Sequence, residues 1–162
     1  MTPWRIPRWL LPLLRRLLEA PTFLYDVRAG WVLGRRFLRL SHVGRRSGRR
    51  YRTMLEVIGE NSDRGEVLVL AGMGESAQWL RNVQAGNAVE VAIGRLRFRP
   101  RHRVLEPPEA SAALANYEHH HRRLAPIIRR VLSRLVGWHY DGSECARLRL
   151  VSQLPVVAFR RE

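Results

Sequence analysis

The stretch FLRLSHVGRRSGRRYRTMLEVI, residues 37–58, decides the fold of this chain. Its first part, residues 37–43, alternates apolar and polar side chains, as a strand with one buried face does. Residues 53–58 read as a second strand. The loop between them, from Gly44 to Arg52, holds two glycines and five arginines. Because glycine permits a tight turn in which backbone N–H groups converge, we predict two strands joined by a strongly basic loop.

The charge balance of the whole chain is equally one-sided. The 162 residues carry 29 basic side chains against 14 acidic ones, a formal net charge of +15, and every basic side chain is an arginine. Guanidinium groups stay charged and present a planar fork that suits phosphate and carboxylate. We therefore expect an anionic partner: nucleic acid, anionic lipid or a phosphorylated cofactor. The plainer interpretation of the loop is a solvated basic hairpin tip.

Further elements extend the pattern on both sides of this stretch. Strands are predicted over residues 66–71, 89–93, 96–105 and 156–160, and helices over residues 77–84, 109–121, 127–136 and 143–151. A turn-rich segment, residues 59–65, indicates a hairpin between the second and third strands. About six short strands with several hairpin links favour an α+β fold, an antiparallel sheet closed into a barrel with peripheral helices.

The N-terminal region predicts an amphipathic helix over residues 4–20, followed by a short helix or turn over residues 23–33. Within it, residues 4–18, which begin with Trp4 and end with Leu18, carry an apolar face and an arginine face. This face either packs on the barrel or lies on an anionic membrane surface. No uncharged apolar run is long enough to span a bilayer, and no signal peptide is evident. We expect a cytoplasmic protein, and a peripheral position on the inner face of the cell membrane stays open.

The domain organisation follows from these elements. With no repeats, linkers or low-complexity tracts, residues 1–162 are expected to form one domain. It would comprise an N-terminal helical segment (1–36), barrel strands (37–106 and 155–160) and a helical insertion (109–151). The single cysteine, Cys145, allows no internal disulfide, and monomer and homodimer are both open.

A second constellation follows the third strand. Ala71, Gly72, Met73 and Gly74 end that strand, and Trp79 and Asn82 lie on the next predicted helix. Glycines at a strand end let a flat ring system approach the backbone closely. The alternative is an ordinary strand–helix connection.

Taken in order, these motifs resemble the deazaflavin-dependent nitroreductase family, also described as coenzyme F-420-dependent quinone reductases. The resemblance rests on HVGRRSG (residues 42–48), AGMG (71–74), WLRN (79–82), AGN (85–87) and the closing LPVV (154–157). It covers about residues 37–104 and the last strand. The position of Tyr51 departs from the family pattern, since related chains often have an Arg-Pro-Arg run there.

The resemblance implies a split β-barrel of the FMN-binding type, with reduced F-420 as the hydride donor and a quinone, nitroaromatic or other electrophilic small molecule as the acceptor. F-420 carries a phosphate and a polyglutamate tail, both anionic. By position, the cofactor-binding residues implied are Arg45, Arg46, Ser47, Gly48, Arg52, Thr53, Met54, Ala71, Gly72, Met73, Gly74, Trp79 and Asn82. Tyr117 is the candidate on the acceptor side. FMN is the alternative cofactor.

Two other functions stay open on the sequence. One is a non-enzymatic protein of the same barrel fold that binds FMN, heme or a fatty acid. The other is a basic nucleic-acid-binding protein, although no helix-turn-helix, zinc or RNP-like signature is present. The tract His119, His120, His121 is not expected to bind a metal, because successive helical residues point about 100° apart. No paired carboxylates or Ser/His/Asp set suggests protein-borne catalysis.

Overall fold

The computed structural model describes residues 35–162, so the helices predicted over residues 4–20 and 23–33 lie outside the described part. Seven strands are present: β1 (Phe37–Val43), β2 (Arg50–Asn61), β3 (Glu66–Leu70), β4 (Ala88–Ile93), β5 (Leu96–Phe98), β6 (Pro100–Val104) and β7 (Val156–Arg161). Four α-helices accompany them: α1 (Gln78–Gln84), α2 (Pro107–His120), α3 (Ala125–Val136) and α4 (Glu144–Gln153). A short 3-10 turn (Gly74–Ser76) precedes α1.

The strands form one antiparallel sheet in the order β5-β4-β1-β2-β3-β7-β6. Strands β5 and β6 are its two opposite edges, yet only Arg99 separates them in the chain. One residue spans about 3.5 Å, so the two edges must meet, and the sheet curls into a nearly closed barrel. The predicted α+β fold on an antiparallel barrel is confirmed, and the architecture is consistent with a split β-barrel.

Three details of the predicted strands were wrong. Residues 50–52, expected in the basic loop, already belong to β2. Residues 96–105 are not one strand but two, because the chain passes at Arg99 from one sheet edge to the other; the sheet therefore has seven strands rather than about six. The segment predicted as a turn, residues 59–65, begins as strand. Strand β2 continues past a bulge and pairs Gly59 with Leu68, which leaves a turn of four residues before β3.

The core has two layers, one on each side of the sheet. Strand β7 shows this directly, because its first four residues are all buried. Val157 and Phe159 face the barrel interior, where Leu38, Leu40 and the apolar side of α1 surround them. Val156 and Ala158 face outward and are covered by α2 and α4. A strand buried on both faces reads as a continuous apolar run, as VVAF does here.

Helix α3 leaves most of its apolar face exposed. Its apolar residues do share one face, but Leu132 alone among the residues of this helix is buried. Ile127, Val131 and Leu135 are 62%, 50% and 47% exposed. Among residues 35–162, no helix combines the length and the apolar character that crossing a bilayer requires.

Candidate functional site

The basic loop between β1 and β2 is a compact turn held by its own backbone. The Gly44 N–H donates to the Arg49 carbonyl and the Gly48 N–H to the Gly44 carbonyl, each at 2.8 Å. Gly48 has a φ of +66°, which favours glycine. A Cβ on Gly44 would lie 2.5 Å from the Ser47 hydroxyl and 2.8 Å from the Tyr51 ring. Both glycines are therefore required by the turn.

Helix α1 fixes this loop from the side. The Asn82 Oδ1 accepts hydrogen bonds from the backbone N–H of Arg45 at 3.1 Å and from its guanidinium at 3.2 Å. One turn earlier, the Gln78 Oε1 accepts from the same guanidinium at 3.1 Å. Residues four apart lie on one helix face, so α1 presents both amides to the loop. Trp79 is buried in the barrel core beside Phe159, with ring centroids 6.3 Å apart.

A cavity of about 620 Å³ opens at this mouth of the barrel, between the basic loop, β2 and α1. Eight of the residues expected from the sequence line it: Arg45, Arg46, Ser47, Arg52, Thr53, Met73, Trp79 and Asn82. Six further lining residues were not predicted as site residues: His42, Gly44, Tyr51, Ser76, Ala77 and Gln78. We call this space the mouth cavity.

The other five expected residues lie next to the mouth cavity without lining it. Gly48 is in the basic loop, and Met54 lies further along β2, paired with Arg39 of β1. Ala71 is buried, and its N–H donates to the Pro155 carbonyl at 2.9 Å. Gly72 lines a different, apolar cavity. Gly74 has a φ of +59° and approaches the Gln153 carbonyl so closely that a Cβ would lie 2.5 Å from it.

His42 is the most informative of the unpredicted residues. It occupies an inward position of β1, two residues after the buried Leu40, yet it is polar and only 3% exposed. Burial lowers the pKa of its imidazole below the usual value, so the neutral form is favoured. A polar residue that continues the buried apolar face of a strand was the signal available in the sequence. Gln78 had a signal too, since it lies four residues before Asn82.

Tyr51, where the family pattern is broken, closes one side of the mouth cavity. Its ring stacks on His42 with centroids 5.8 Å apart, and its hydroxyl lies 3.1 Å from that of Ser47. The Ser47 hydroxyl also accepts from the Arg49 N–H at 3.3 Å. The tyrosine thus connects the basic loop to the buried histidine.

The mouth cavity carries positive charge without internal compensation. No carboxylate lines it. Within residues 35–162, Arg45, Arg46, Arg49 and Arg50 form no ion pair with a carboxylate. Arg103 on β6 is the contrast, because it is bound by both Glu66 and Glu109 at 2.6–2.8 Å. Arg45, Arg46, Arg49 and Arg50 are therefore available to bind an anion.

A smaller basic cavity of about 300 Å³ adjoins the mouth cavity and shares His42, Tyr51 and Arg52 with it. Its other lining residues include Arg39, Arg50, Arg97 and a single carboxylate, Glu90. Glu90 lies 3.3 Å from the Arg39 guanidinium and 3.2 Å from that of Arg97. The smaller cavity therefore extends from the mouth cavity toward β4 and β5.

Tyr117, the candidate on the acceptor side, lies elsewhere. It lines an apolar cavity of about 350 Å³ between the sheet, α2 and α3, together with Gly72 and the exposed face of α3. Its hydroxyl donates to Glu56 at 2.8 Å. Burial, and secondarily this carboxylate, raise the pKa of Tyr117, so it stays protonated near neutral pH. We call this space the apolar cavity.

The histidine tract at the end of α2 bonds to its own helix. The His120 and His121 rings donate from Nδ1 to the carbonyls of Asn116 and Tyr117, at 2.7 and 3.0 Å. No cluster of three or more His, Cys, Asp or Glu side chains arranged to hold a metal ion occurs in the described part of the chain.

The fold and the mouth cavity together define a barrel protein with a basic cavity at one mouth of the barrel. The family model described as F420H(2)-dependent quinone reductase matches residues 24–126, well over half of the chain. The chain belongs to this family and is an oxidoreductase that depends on F-420. The family supports F-420 as the cofactor and lends no support to FMN, heme, a fatty acid or nucleic acid as the ligand.

Among the solved structures that are similar to this chain, the following three have low sequence identity to it. An F420-H2-dependent reductase (FDR-A) is 17% identical, with 78% of this chain and 96% of that chain covered and a TM-score of 0.46. A protein described as a domain-swapped dimer is 19% identical, with 94% and 97% covered and a TM-score of 0.47. A Clostridium acetobutylicum protein of the pyridoxinephosphate oxidase family, related to general stress protein 26 of B. subtilis, is 8% identical, with 87% and 84% covered and a TM-score of 0.44. No curated protein sequence matches the chain.

Proposed function

We propose that this enzyme binds reduced F-420 in the mouth cavity and reduces a quinone or another electrophilic small molecule, such as a nitroaromatic. One observation carries the placement: Arg45, Arg46 and Arg52 line the cavity with no carboxylate among them. Arg45 and Arg46 form no ion pair with a carboxylate within residues 35–162 and lie next to the backbone N–H groups of the turn, an arrangement that suits a phosphate. The volume, about 620 Å³, is that of an ordinary cofactor pocket.

The residues present fit the two anionic parts of F-420. Arg45, Arg46 and Ser47 would hold the phosphate, since they surround the turn and face the cavity. The adjoining basic cavity, with Arg50 and Arg97, would take carboxylates of the glutamate tail. Arg45 is already oriented by two amide oxygens of α1, so little side-chain entropy would be lost on binding.

The ring end of the cofactor would lie toward Thr53, Met73 and Trp79, which also line the mouth cavity. When bound, reduced F-420 supplies the hydride, and the protein binds, orients and shields it. Met73 is 73% exposed and is positioned to cover an apolar ring. The apolar cavity, which begins at Gly72, would receive the acceptor, with Tyr117 as a protonated hydroxyl on its wall.

Calorimetric titration with purified F-420 tests the cofactor site. We expect wild-type protein to bind, and Arg46→Gln to bind about tenfold more weakly, as for loss of one charge-assisted hydrogen bond. Arg134→Gln removes the same charge from an exposed position of α3 that lines neither cavity. It serves as the matched control, with affinity within about twofold. Absence of wild-type binding at tens of micromolar, or an equal loss in both variants, would contradict the proposal.

Turnover tests the acceptor. Reduced F-420 mixed with a soluble quinone should be oxidised faster with enzyme than without it, and the Arg46→Gln variant should need more cofactor to reach the same rate. A nitroaromatic acceptor run in parallel separates the two substrate classes. If reduced F-420 is oxidised at the uncatalysed rate with both acceptors, the proposed activity is contradicted.

A further inference from the structure

A continuous chain of side-chain hydrogen bonds runs beneath the mouth cavity. It begins at Arg45, passes through Asn82 and His42, and ends at Thr53. Asn82 accepts from Arg45 with Oδ1, its Nδ2 lies 3.0 Å from the His42 Nδ1, and the His42 Nε2 lies 3.1 Å from the Thr53 hydroxyl. Asn82 and His42 are only 4% and 3% exposed. Each buried polar atom in this chain therefore needs a defined partner.

The direction of the first bond fixes the orientation of Asn82. The backbone N–H and the guanidinium of Arg45 are donors only, and both point at the same amide atom, at 3.1 and 3.2 Å. That atom must be the oxygen. The amide nitrogen of Asn82 therefore faces His42 and donates to its Nδ1.

The direction of the hydrogen bond from Asn82 determines the tautomer of His42. Because Nδ1 accepts from Asn82, its lone pair is used and the ring proton must be on Nε2. A doubly protonated imidazole would place an N–H against the N–H of Asn82. The hydrogen-bond network therefore also excludes the charged form of His42. The Nε2–H consequently donates to the Thr53 hydroxyl oxygen.

Thr53 is the last residue of this hydrogen-bond network, and it lines the mouth cavity. Its hydroxyl oxygen accepts from His42, so its own hydrogen is free to point elsewhere. Within the described residues, the hydroxyl of Thr53 has no hydrogen-bond partner other than His42. The hydrogen is thus available to a ligand in the cavity.

We propose that His42 is a positioning residue, held in the Nε2–H tautomer by Asn82, that commits the Thr53 hydroxyl to donate a hydrogen bond to an acceptor atom of the cavity ligand. The ligand atom that receives this hydrogen is then a carbonyl oxygen or an unprotonated ring nitrogen. The same hydrogen-bond network connects the Thr53 hydroxyl to Arg45. One network therefore orients both the anion-binding loop and this donor. The ligand part rests on the proposed F-420 site.

Nuclear magnetic resonance of ¹⁵N-labelled ligand-free protein tests the tautomer without any cofactor. Two-bond correlations of the His42 ring should show a protonated Nε2 and an unprotonated Nδ1. Asn82→Asp replaces the donor toward Nδ1 with an acceptor, and should move a proton onto Nδ1. A wild-type ring protonated on Nδ1, or an unchanged ring in the Asn82→Asp variant, would overturn the assignment.

A double-mutant cycle on F-420 affinity tests the action through Thr53. His42→Leu and Thr53→Val should each weaken binding about tenfold, as for one lost hydrogen bond to the ligand. The double variant should be no weaker than either single one, since His42 acts only through Thr53. His42→Gln, which can accept from Asn82 and donate to Thr53, should recover most of the affinity.

This design distinguishes a failure of the proposed function from a failure of the inference about His42. If wild-type protein does not bind F-420, the proposed function fails, while the ring spectrum still decides whether His42 has the assigned tautomer. If wild-type protein binds but the two substitutions are additive, or Thr53→Val has no effect, His42 has a merely structural role and the inference is wrong. Thermal unfolding of each variant shows whether it is folded.

Discussion

The mouth cavity and the apolar cavity are opposite in character, although the short segment Gly72–Met73 contributes to both. The first is lined by arginines and amides whose orientations are set by hydrogen bonds, as with Arg45 on Asn82. The second is lined mostly by aliphatic side chains, several of them exposed, with Tyr117 and Glu56 as a polar corner. One surface is organised to fix an anion, and the other offers apolar area with little directional constraint.

The difference shows how polar and apolar sites specify binding. Directional bonds in the mouth cavity hold each group in one geometry before a ligand arrives, which lowers the cost of binding. The apolar cavity stabilises any ligand of suitable size, because the hydrophobic effect has no direction. A cofactor that must be placed accurately and an acceptor that varies in structure would match these two sites.

The largest expected effect concerns the wall of the apolar cavity. Leu132 is 5% exposed and its neighbour Val131 is 50% exposed, so only the first is part of the core. Leu132→Ala should lower the free energy of unfolding by about 2–5 kcal/mol and Val131→Ala by under about 1 kcal/mol. Urea denaturation measures both. Similar losses would mean that the exposed face of α3 is buried in solution.

The next effect concerns the segment between the two cavities. Gly74 has a positive φ and its missing Cβ would touch the Gln153 carbonyl, whereas the nearest atom to a Cβ on Gly72 is a Leu135 methyl at 3.7 Å. Gly74→Ala should cost about 1–3 kcal/mol of stability, because the strain adds to the clash. The matched variant Gly72→Ala should cost less. The reverse order in thermal unfolding would contradict this geometry.

A smaller effect on stability is expected from pH, through two histidines whose pKa is lowered by burial. Burial lowers the pKa of His42, and that of His102 on β6, below the usual 6.5. The unfolded chain therefore takes up these protons at a higher pH than the folded one, and the free energy of unfolding should fall as pH drops below about 6.5. Urea denaturation across this range measures the slope.

Two substitutions attribute that slope. His42→Gln and His102→Gln should each reduce the dependence of stability on pH, and together they should reduce it further. A stability that rises as the pH falls through this window would mean that the folded state binds the protons more tightly, contrary to the buried positions of the two rings.

The smallest effect separates the cavities by function. Tyr117→Phe removes a hydroxyl that donates to Glu56, with a cost of about 1 kcal/mol or less in stability. Because Tyr117 does not line the mouth cavity, F-420 affinity should stay within about twofold, while the KM for the acceptor should change. A large loss of cofactor affinity would show that the ring end of F-420 enters the apolar cavity.

Much of the site was predictable because charge and glycine are local signals. Arg45, Arg46 and Ser47 stand between two glycines and two strands, and the structure places all three on the mouth cavity. His42 was missed as a site residue because its role depends on contacts with Asn82, forty residues away in the chain. No periodicity or composition reports such a contact.

The fold shows the same division. Alternation and turns predicted an antiparallel barrel and most element positions, since these follow from which residues prefer water. The break at Arg99 and the bulge in β2 were not predicted, because both arise where the sheet must change direction to close. The apolar residues of helix α3 share one face, yet most of that face is exposed, because burial depends on what packs against a helix and not on the helix itself.

The sequence was sufficient to predict the antiparallel barrel, the family and the basic character of residues 44–52, because all of these depend on local residue preferences and on the order of motifs along the chain. The tertiary structure alone decided which arginines lack a carboxylate, that α1 orients Arg45, and that His42 connects Asn82 to Thr53. Hydrogen bonds require two groups within about 3 Å, and only folding brings residues 42, 53 and 82 that close together.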